Sequence, residues 1–457
     1  MPVSPARAAA FDILLRVERE SAYASELLHS PTHAHLSTAD HALATELVMG
    51  VLRWRSSLDA EIATASSQPL SKLDVEILIA LRLALYQFRW LDRIPQRAAL
   101  HEGVELVKRA RKRSAAPFVN AVLRKLSAAP RANLSPDEST SPEALARALA
   151  HPQWLVERWA HAYGLSAARQ ICEHDQSIPV TAIRLRTPTA EQQLIQEGIT
   201  LIPGALLASA RRVQSGDVTK TQAFRTGQIV IQDEVSQLVA ALVGANIPHS
   251  KSRILDCCAA PGGKTLAIAD HNPAAGITAV ELHPHRARLL QKLLRHSSAA
   301  RAQIEIITAD AQHLPLSWQF DRVLADVPCS GTGTLARNPE IKWRLTPSDL
   351  VDLPQRQLAI LRSALAQVAP HGRLIYSTCS LEKEENENVV AQALSENKSF
   401  RLLDCRTELK RLKKSGELIW PDLSSSDPAS LASGPYLRTI PGIQPCDGFF
   451  AAILERF

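Results

Sequence analysis

ILDCCAAPGGKT, residues Ile254–Thr265, decides how the chain folds. An apolar run closes on Asp256, a turn containing Gly262 and Gly263 follows, and Thr265 opens a helical pattern. A strand, a glycine turn and a helix in that order begin a doubly wound α/β sheet, and a nucleotide-like ligand sits at that first turn. Glycines there let backbone amides approach a ligand at a helix N-terminus. Beyond it, apolar runs alternate with helical segments: Arg253–Asp256, Ile277–Glu281, Ile304–Thr308, Arg322–Asp326 and Arg373–Ser377. This alternation predicts an α/β Rossmann-like domain, a mostly parallel sheet with helices on both faces. A last apolar run, Gly448–Leu454, has strand length.

The same residues narrow the chemistry. GGKT invites comparison with the phosphate loop GxxxxGK[ST], but that motif needs glycine at position 258, where Cys258 stands. The dinucleotide pattern GxGxxG is absent as well. Glu281 ends the next strand, where a carboxylate reaches ribose hydroxyls. Asp310 follows the third strand, within reach of a base. Asp326–Thr334 reads DVPCSGTGT and Tyr376–Ser380 reads YSTCS, so Cys329 and Cys379 leave neighbouring strands at one sheet edge beside Asp326. Two thiols and an acid there read as a reactive pair. Their placement leaves open which thiol does what. Cys257 and Cys258 read as packing residues, and Cys172, Cys405 and Cys446 as inert core. Seven cysteines with no CxxC spacing predict reduced thiols, with neither a disulfide framework nor a metal site.

Length and composition set the frame. The chain has 457 residues, 46% of them hydrophobic, and a mean hydropathy of -0.07, which suits a soluble protein of about three domains. With neither a membrane-length apolar run nor a signal-peptide pattern, the expected location is the cytoplasm. Helical periodicity dominates the first part, with segments expected across Pro5–His29, Asp40–Leu58, Leu73–Phe88 and Ala98–Arg111. Residues Ala128–Pro142, rich in Pro, Ser and Ala, read as a linker. The domains expected are an all-α bundle over 1–130, a linker over 131–148, a small α+β domain over 149–235, and the α/β domain over 236–457. The formal net charge is +6, and Lys108, Arg109, Arg111, Lys112 and Arg113 concentrate it. Such a cluster is the footprint of contacts to nucleic-acid phosphates.

CAAPGGKT, DVPCSGTG and STCS together resemble the RNA 5-methylcytosine methyltransferases, in particular the bacterial 16S ribosomal RNA enzymes of the Sun/Fmu type. The amino-terminal part resembles the antitermination factor NusB through LATELVMGVLR (Leu43–Arg53), RIP (Arg93–Pro95) and VNAVLR (Val119–Arg124). IQDEVSQL (Ile231–Leu238) and the terminal DGFF match the family too, so the likeness covers nearly the whole chain. One departure is Arg186, in AIRLRT, where relatives commonly carry Asn.

The resemblance implies S-adenosylmethionine as cofactor, held by Cys258, Ala259, Ala260, Pro261, Gly262, Gly263 and Lys264, with Glu281 on the ribose, Asp310 near the adenine and Asp326 close to methionine and target base. It implies Cys379 as the nucleophile toward C6 of a cytosine, Cys329 as the group assisting release, and 16S ribosomal RNA cytosine 967 as the target. Lys342, in EIKWR, is a further expected RNA contact, and the expected state is a monomer without metal or membrane. The same chemistry on transfer RNA or another ribosomal cytosine, or a non-catalytic RNA-binding factor, are the competing readings.

Overall fold

The computed structural model describes residues 3–130, 140–244, 252–295, 303–420 and 430–457. The chain forms two compact units, Met1–Ile178 with Leu335–Arg344, and Pro179–Thr334 with Leu345–Phe457.

The first unit is helical: α1 (Pro5–Glu20), α2 (Ala24–Leu28), α3 (Thr38–Arg53), α4 (Arg55–Ala65), α5 (Val75–Trp90), α6 (Gln96–Arg109), α7 (Ala116–Ala128), α8 (Pro142–Ala148), α9 (Gln153–Tyr163) and α10 (Leu165–Gln176). Helix α5, VEILIALRLALYQFRW, is apolar nearly all round and forms the centre, burying Ile79, Leu81, Leu83 and Leu85. Two expected helices each divide in two. Ser21 ends α1 in left-handed geometry at φ 53°, and Trp54 (φ -99°, ψ 14°) separates α3 from α4. Helix α3 starts where the Ser37 hydroxyl accepts the Asp40 amide at 3.1 Å, a capping bond.

The boundaries after residue 130 differ from the sequence reading. Residues 131–139 of the expected linker lie outside the described residues, but its second half is helix α8, capped by Ser141 and burying Leu145 and Ala146. Helices α9 and α10 belong to the first unit, and the division falls at Ile178/Pro179 rather than at 148/149. Proline and serine at 141–142 marked a helix start instead of a loop.

The first unit also holds a piece of chain from far downstream. Leu335–Arg344, with the one-turn helix α16 (Ile341–Arg344), is fastened to α3: Lys342 Nζ donates to Arg53 O at 3.0 Å, Trp343 Nε1 to Leu52 O at 2.6 Å, and Arg53 Nη2 to Ala336 O at 3.1 Å.

The second unit holds two sheets. The smaller is antiparallel, ordered β2-β3-β1-β4, from β1 (Ala182–Leu185), β2 (Thr200–Pro203), β3 (Ala210–Ser215) and β4 (Ile229–Ile231), with α11 (Ala190–Gln196) and α12 (Gln222–Arg225) beside it. The larger has the order β11-β12-β13-β9-β8-β5-β6-β7, with β10 paired to β13. Its strands are β5 (Arg253–Asp256), β6 (Gly276–Glu281), β7 (Gln303–Thr308), β8 (Phe320–Asp326), β9 (Val368–Thr378), β10 (Phe400–Leu403), β11 (Ala432–Ser433), β12 (Tyr436–Thr439) and β13 (Phe449–Arg456). The strands β9, β8, β5, β6 and β7 run parallel, and β13 lies antiparallel on β9.

Alternation builds both faces of this sheet. Ile254, Ile277, Leu324 and Ile375 enter one core with α13 (Glu234–Leu242), α14 (Gly263–His271) and, further along the chain, α19 (Cys405–Lys414). Leu255, Val323, Leu374 and Tyr376 enter the opposite core with α17 (Asp349–Ala366) and α18 (Glu387–Glu396). Helix α15 (Pro284–Arg295) covers β6 through Leu290 against Ala279. This is the Rossmann-like arrangement expected, a mixed sheet with helices on both faces.

Candidate active site

Because β5, β6, β7 and β8 are parallel, their carboxyl ends share one edge, and each ends on or near an acid. Asp256 closes β5, Glu281 closes β6, Asp310 stands two residues past β7, and Asp326 closes β8. Asp256 is buried. Its Oδ2 accepts the Thr265 hydroxyl at 2.7 Å, and burial pushes its carboxyl up to about 6. Between Asp256 and α14 the turn is stitched to both neighbours, Cys257 N to Leu324 O and Ala259 N to Val280 O, each at 2.9 Å. Gly262 takes φ +115°, and a Cβ there would sit 2.5 Å from Leu290 Cδ1, so only glycine fits. Glu281 Oε1 accepts the His283 amide at 2.9 Å, and Asp310 Oδ1 accepts the Gln312 amide at 2.9 Å.

Lys264 leaves the first turn of α14 and reaches Asp326, Nζ to Oδ2, at 2.8 Å. Burial works against its charge, but the Asp326 carboxylate outweighs burial and holds the ammonium above its ordinary range. The other Asp326 oxygen accepts the Ser377 hydroxyl at 2.7 Å. The thiols lie beside this pair: Cys329 Sγ and Cys379 Sγ are 3.3 Å apart, and the Lys264 charge acts on Cys379. The Cys379 contact, burial and the nearby Glu385 carboxylate all push the Cys329 thiol well up. The remaining cysteines are packing residues: Cys172, Cys257, Cys405 and Cys446 are buried, and burial raises the partly covered Cys258 thiol.

Sequence reasoning missed what holds the two thiols together. Glu385 is fully buried and accepts from both cysteine-bearing loops, Ser330 N to Oε2 at 2.8 Å and the Ser380 hydroxyl to Oε1 at 2.6 Å. Gln357 Nε2 adds a third bond to Oε2 at 2.7 Å and also reaches Pro328 O at 3.0 Å. Asn386 Nδ2 donates to Ser380 O at 2.9 Å. The loops are crossed by the chain near Gly448, whose amide donates to Gly333 O at 2.7 Å, and a Cβ on Gly333 would meet Gly448 O at 2.2 Å. The signal was the acidic run LEKEENEN following STCS, in which nothing marks Glu385 as the acid that joins the two loops.

The profile of the 16S rRNA methyltransferase RsmB/F matches residues 245–455, and that of the NusB family matches residues 4–128. A Bacillus subtilis protein named probable ribosomal RNA small subunit methyltransferase B is 33% identical over 469 residues, covering 100% of both chains. The chain belongs to the RsmB/F family of 16S rRNA methyltransferases. Ribosomal RNA small subunit methyltransferase B of Vibrio cholerae is 30% identical over 427 residues, covering 91% of this chain and 90% of that one. Among solved structures, that of PH0851 superposes with a TM-score of 0.80 at 22% identity over 100% of both chains. A methyltransferase homolog protein from Pyrococcus horikoshii gives 0.57 at 24% identity, over 70% of this chain and 100% of that one. At such identities the likeness is one of fold.

In this RsmB/F chain the expected RNA contacts divide. Arg109 is engaged in a two-point ion pair with Asp12 (2.8 and 2.7 Å), Lys108 pairs with Glu105 at 2.7 Å, and Lys112 with Asp74 at 2.9 Å. Arg111 and Arg113 are exposed. Lys342 is a correction: it is 1% exposed, its Nζ is bonded to Arg53 O, and burial pulls its pKa down to about 7. The tryptophan beside it carries α16 inward, so the lysine faces the helices rather than solvent. Arg186 is accounted for by Asp270, which it grips through Nε (2.8 Å) and Nη2 (2.6 Å), tying the small sheet to α14. Among the described residues, no helix is long and apolar enough to cross a membrane.

Proposed function

We propose that this chain transfers a methyl group from S-adenosylmethionine to C5 of one cytosine in 16S ribosomal RNA, the family site at position 967, through a cysteine–C6 adduct. The observation that carries this reading is the pair Cys329 and Cys379, 3.3 Å apart beside the Lys264–Asp326 ion pair. The row of acids fits the cofactor: a ligand with a sulfonium, an ammonium and ribose hydroxyls is positive and rich in donors. Asp326, Glu281 and Asp310 offer acceptors along one edge, and the turn Cys258–Lys264 brings backbone close. When bound, the cofactor supplies an electrophilic methyl group.

Cytosine C5 is a weak nucleophile until its ring is activated. Thiolate addition at C6 by Cys379 makes C5 enamine-like and able to take the methyl group. The Lys264 ammonium stands beside the thiol pair, and the Cys379 contact and burial keep Cys329 as a thiol. Asp326 is placed for hydrogen bonding or proton delivery at N3, with Lys264 as its proton-bearing neighbour. The C5 proton then passes to solvent water, the C5–H electron pair re-forms the C5–C6 double bond, and the C6–S bond breaks, which returns the Cys379 thiolate and leaves 5-methylcytosine. Cys329 is the group at hand for that release. The base must leave its helix or lie in a loop for a thiol to reach C6.

The test is transfer from labelled S-adenosylmethionine to unmodified 16S RNA, mapped by bisulfite sequencing. One methylated cytosine, lost in Cys379→Ala, is expected, with an RNA adduct accumulating in Cys329→Ala. Transfer surviving in Cys379→Ala but not in Cys329→Ala reverses the thiol roles. Activity on transfer RNA alone removes the substrate.

A further inference from the structure

The DGFF stretch, Asp447–Phe450, leads into β13, and its two phenylalanines part by alternation. Phe450 packs in the core with Val389 and Val390 of α18, where its ring meets that of Tyr376 with centroids 6.4 Å apart. Phe449 turns to the opposite core, the one against which Cys379 packs. Strand β13 runs antiparallel to β9 with Phe450 opposite Thr378, so Phe449 stands level with Cys379.

The backbone at Phe449 is held on both sides. Thr439 of β12 pairs with it, and the Thr439 hydroxyl accepts the Phe449 amide at 2.9 Å while donating to Asp447 O at 2.8 Å. The preceding amide, of Gly448, donates to Gly333 O at 2.7 Å. A ring on so firmly paired a backbone has little room to drift.

Lys264 arrives at this ring from α14. Its Nζ lies over the Phe449 face, 5.1 Å from the centroid, and reaches Asp326 Oδ2 at 2.8 Å. The lysine side chain is only 15% exposed, so little water is left to solvate the charge. An ammonium carries three donors, and a carboxylate oxygen takes one of them. An aromatic face suits the rest of that charge, because the ring quadrupole is negative there and the attraction grows as water is excluded. An aliphatic side chain fills the same space without that field.

We propose that Phe449 is a positioning residue for methyl transfer, its ring holding the Lys264 ammonium on Asp326. The carboxylate is then anchored twice, by Lys264 on Oδ2 and by the Ser377 hydroxyl on Oδ1 at 2.7 Å. Without the ring the lysine is free to leave Asp326 for solvent, and one anchor is lost. The inference rests on the reading of Asp326 as the group that meets the target base. Phe449 acts through the lysine and not on the reacting atoms.

The experiment compares wild type with Phe449→Leu and with a chain carrying trifluorophenylalanine at position 449, which keeps the ring but drains its face of negative charge. Thermal unfolding checks that each folds. Methyl transfer to unmodified 16S RNA is followed kinetically, and the Lys264 amine is probed by reductive methylation with formaldehyde, read by mass spectrometry against the exposed Lys410. Both altered chains are expected to lose about tenfold in kcat, the scale of one desolvated cation–π contact, with KM for cofactor and RNA nearly unchanged. Lys264 is expected to be labelled about tenfold faster in both, on the same free-energy scale, and Lys410 at its old rate. Should Phe449→Leu not fold, the fluorinated chain decides alone. Wild-type kcat in the fluorinated chain, or a lower kcat with Lys264 labelled no faster, would overturn the proposal and leave Phe449 a packing residue. A wild type that transfers no methyl group to 16S RNA removes the reaction instead, and the labelling of Lys264 then decides whether the ring holds the lysine.

Discussion

Lys342 shows how far burial changes what a residue can do. In the unfolded chain it titrates near 10.5, and in the fold at about 7. Between those values the unfolded chain binds the extra proton, so stability rises with pH from about 7 to 10 and is lowest at and below 7. The difference corresponds to a cost on the order of 4–5 kcal/mol near neutrality. Lys342→Met should remove that cost and flatten the rise. Urea unfolding at pH 7, 8.5 and 10, followed by tryptophan fluorescence, reads it; wild-type and variant stabilities changing in parallel with pH would contradict it. The motif acids and thiols were legible in the sequence because their spacing is set by strand ends. The direction Lys342 faces was not, because it depends on where residues 335–344 are anchored, and nothing local in EIKWR encodes that.

At the scale of elements, the two cysteine loops depend on one carboxylate. Glu385→Ala leaves the Ser330 amide, the Ser380 hydroxyl and the Gln357 amide facing an empty, dry space. A loss of about 3–5 kcal/mol is expected by urea unfolding, with methyl transfer falling more than cofactor binding. Undiminished transfer would show that the loops keep their places without it. The sequence betrayed the strand β9 and the YSTCS turn, but not which of the four glutamates between Leu381 and Asn388 bonds both cysteine loops, since alternation fails in a loop. Helix breaks at Ser21 and Trp54 escaped for a similar reason: both flanking segments keep helical periodicity. On α6 and the turn after it, ion pairing separates the basic residues. Replacing Arg111 and Arg113 by Ser should lower the slope of log affinity for RNA against log salt by about one per residue that contacts a phosphate. Arg109→Ser should act mainly on stability, by breaking the pair with Asp12; an unchanged salt slope in the Arg111/Arg113 variant would remove the assignment.

At the scale of the whole molecule, the first unit is discontinuous in sequence. Cutting the chain at the expected linker separates α8, α9 and α10 from the helices they belong with, and cutting after Ile178 still omits Leu335–Arg344. A fragment of residues 1–178 should therefore melt lower than the same fragment with residues 335–344 appended through a flexible linker. The shift should be several degrees for an interaction worth about 1–2 kcal/mol in a unit of this size. Identical melting temperatures would mean that the segment contributes no stability. Composition and periodicity could foresee a helical first part, but a unit completed by residues that resume 157 positions beyond Ile178 leaves no trace in local pattern.

That discontinuity sets a clock on synthesis. A ribosome adding about 5–20 residues per second takes roughly 8–33 s to travel from Ile178 to Arg344. For that interval the nascent first unit is held without the segment that supplies Lys342 and Trp343 to α3, while the parallel core of the second unit, still lacking β9, is itself unfinished. The last turn of the first unit and the final catalytic strand thus leave the ribosome close together, so the protein acquires its complete helical unit and its second thiol almost at the same moment.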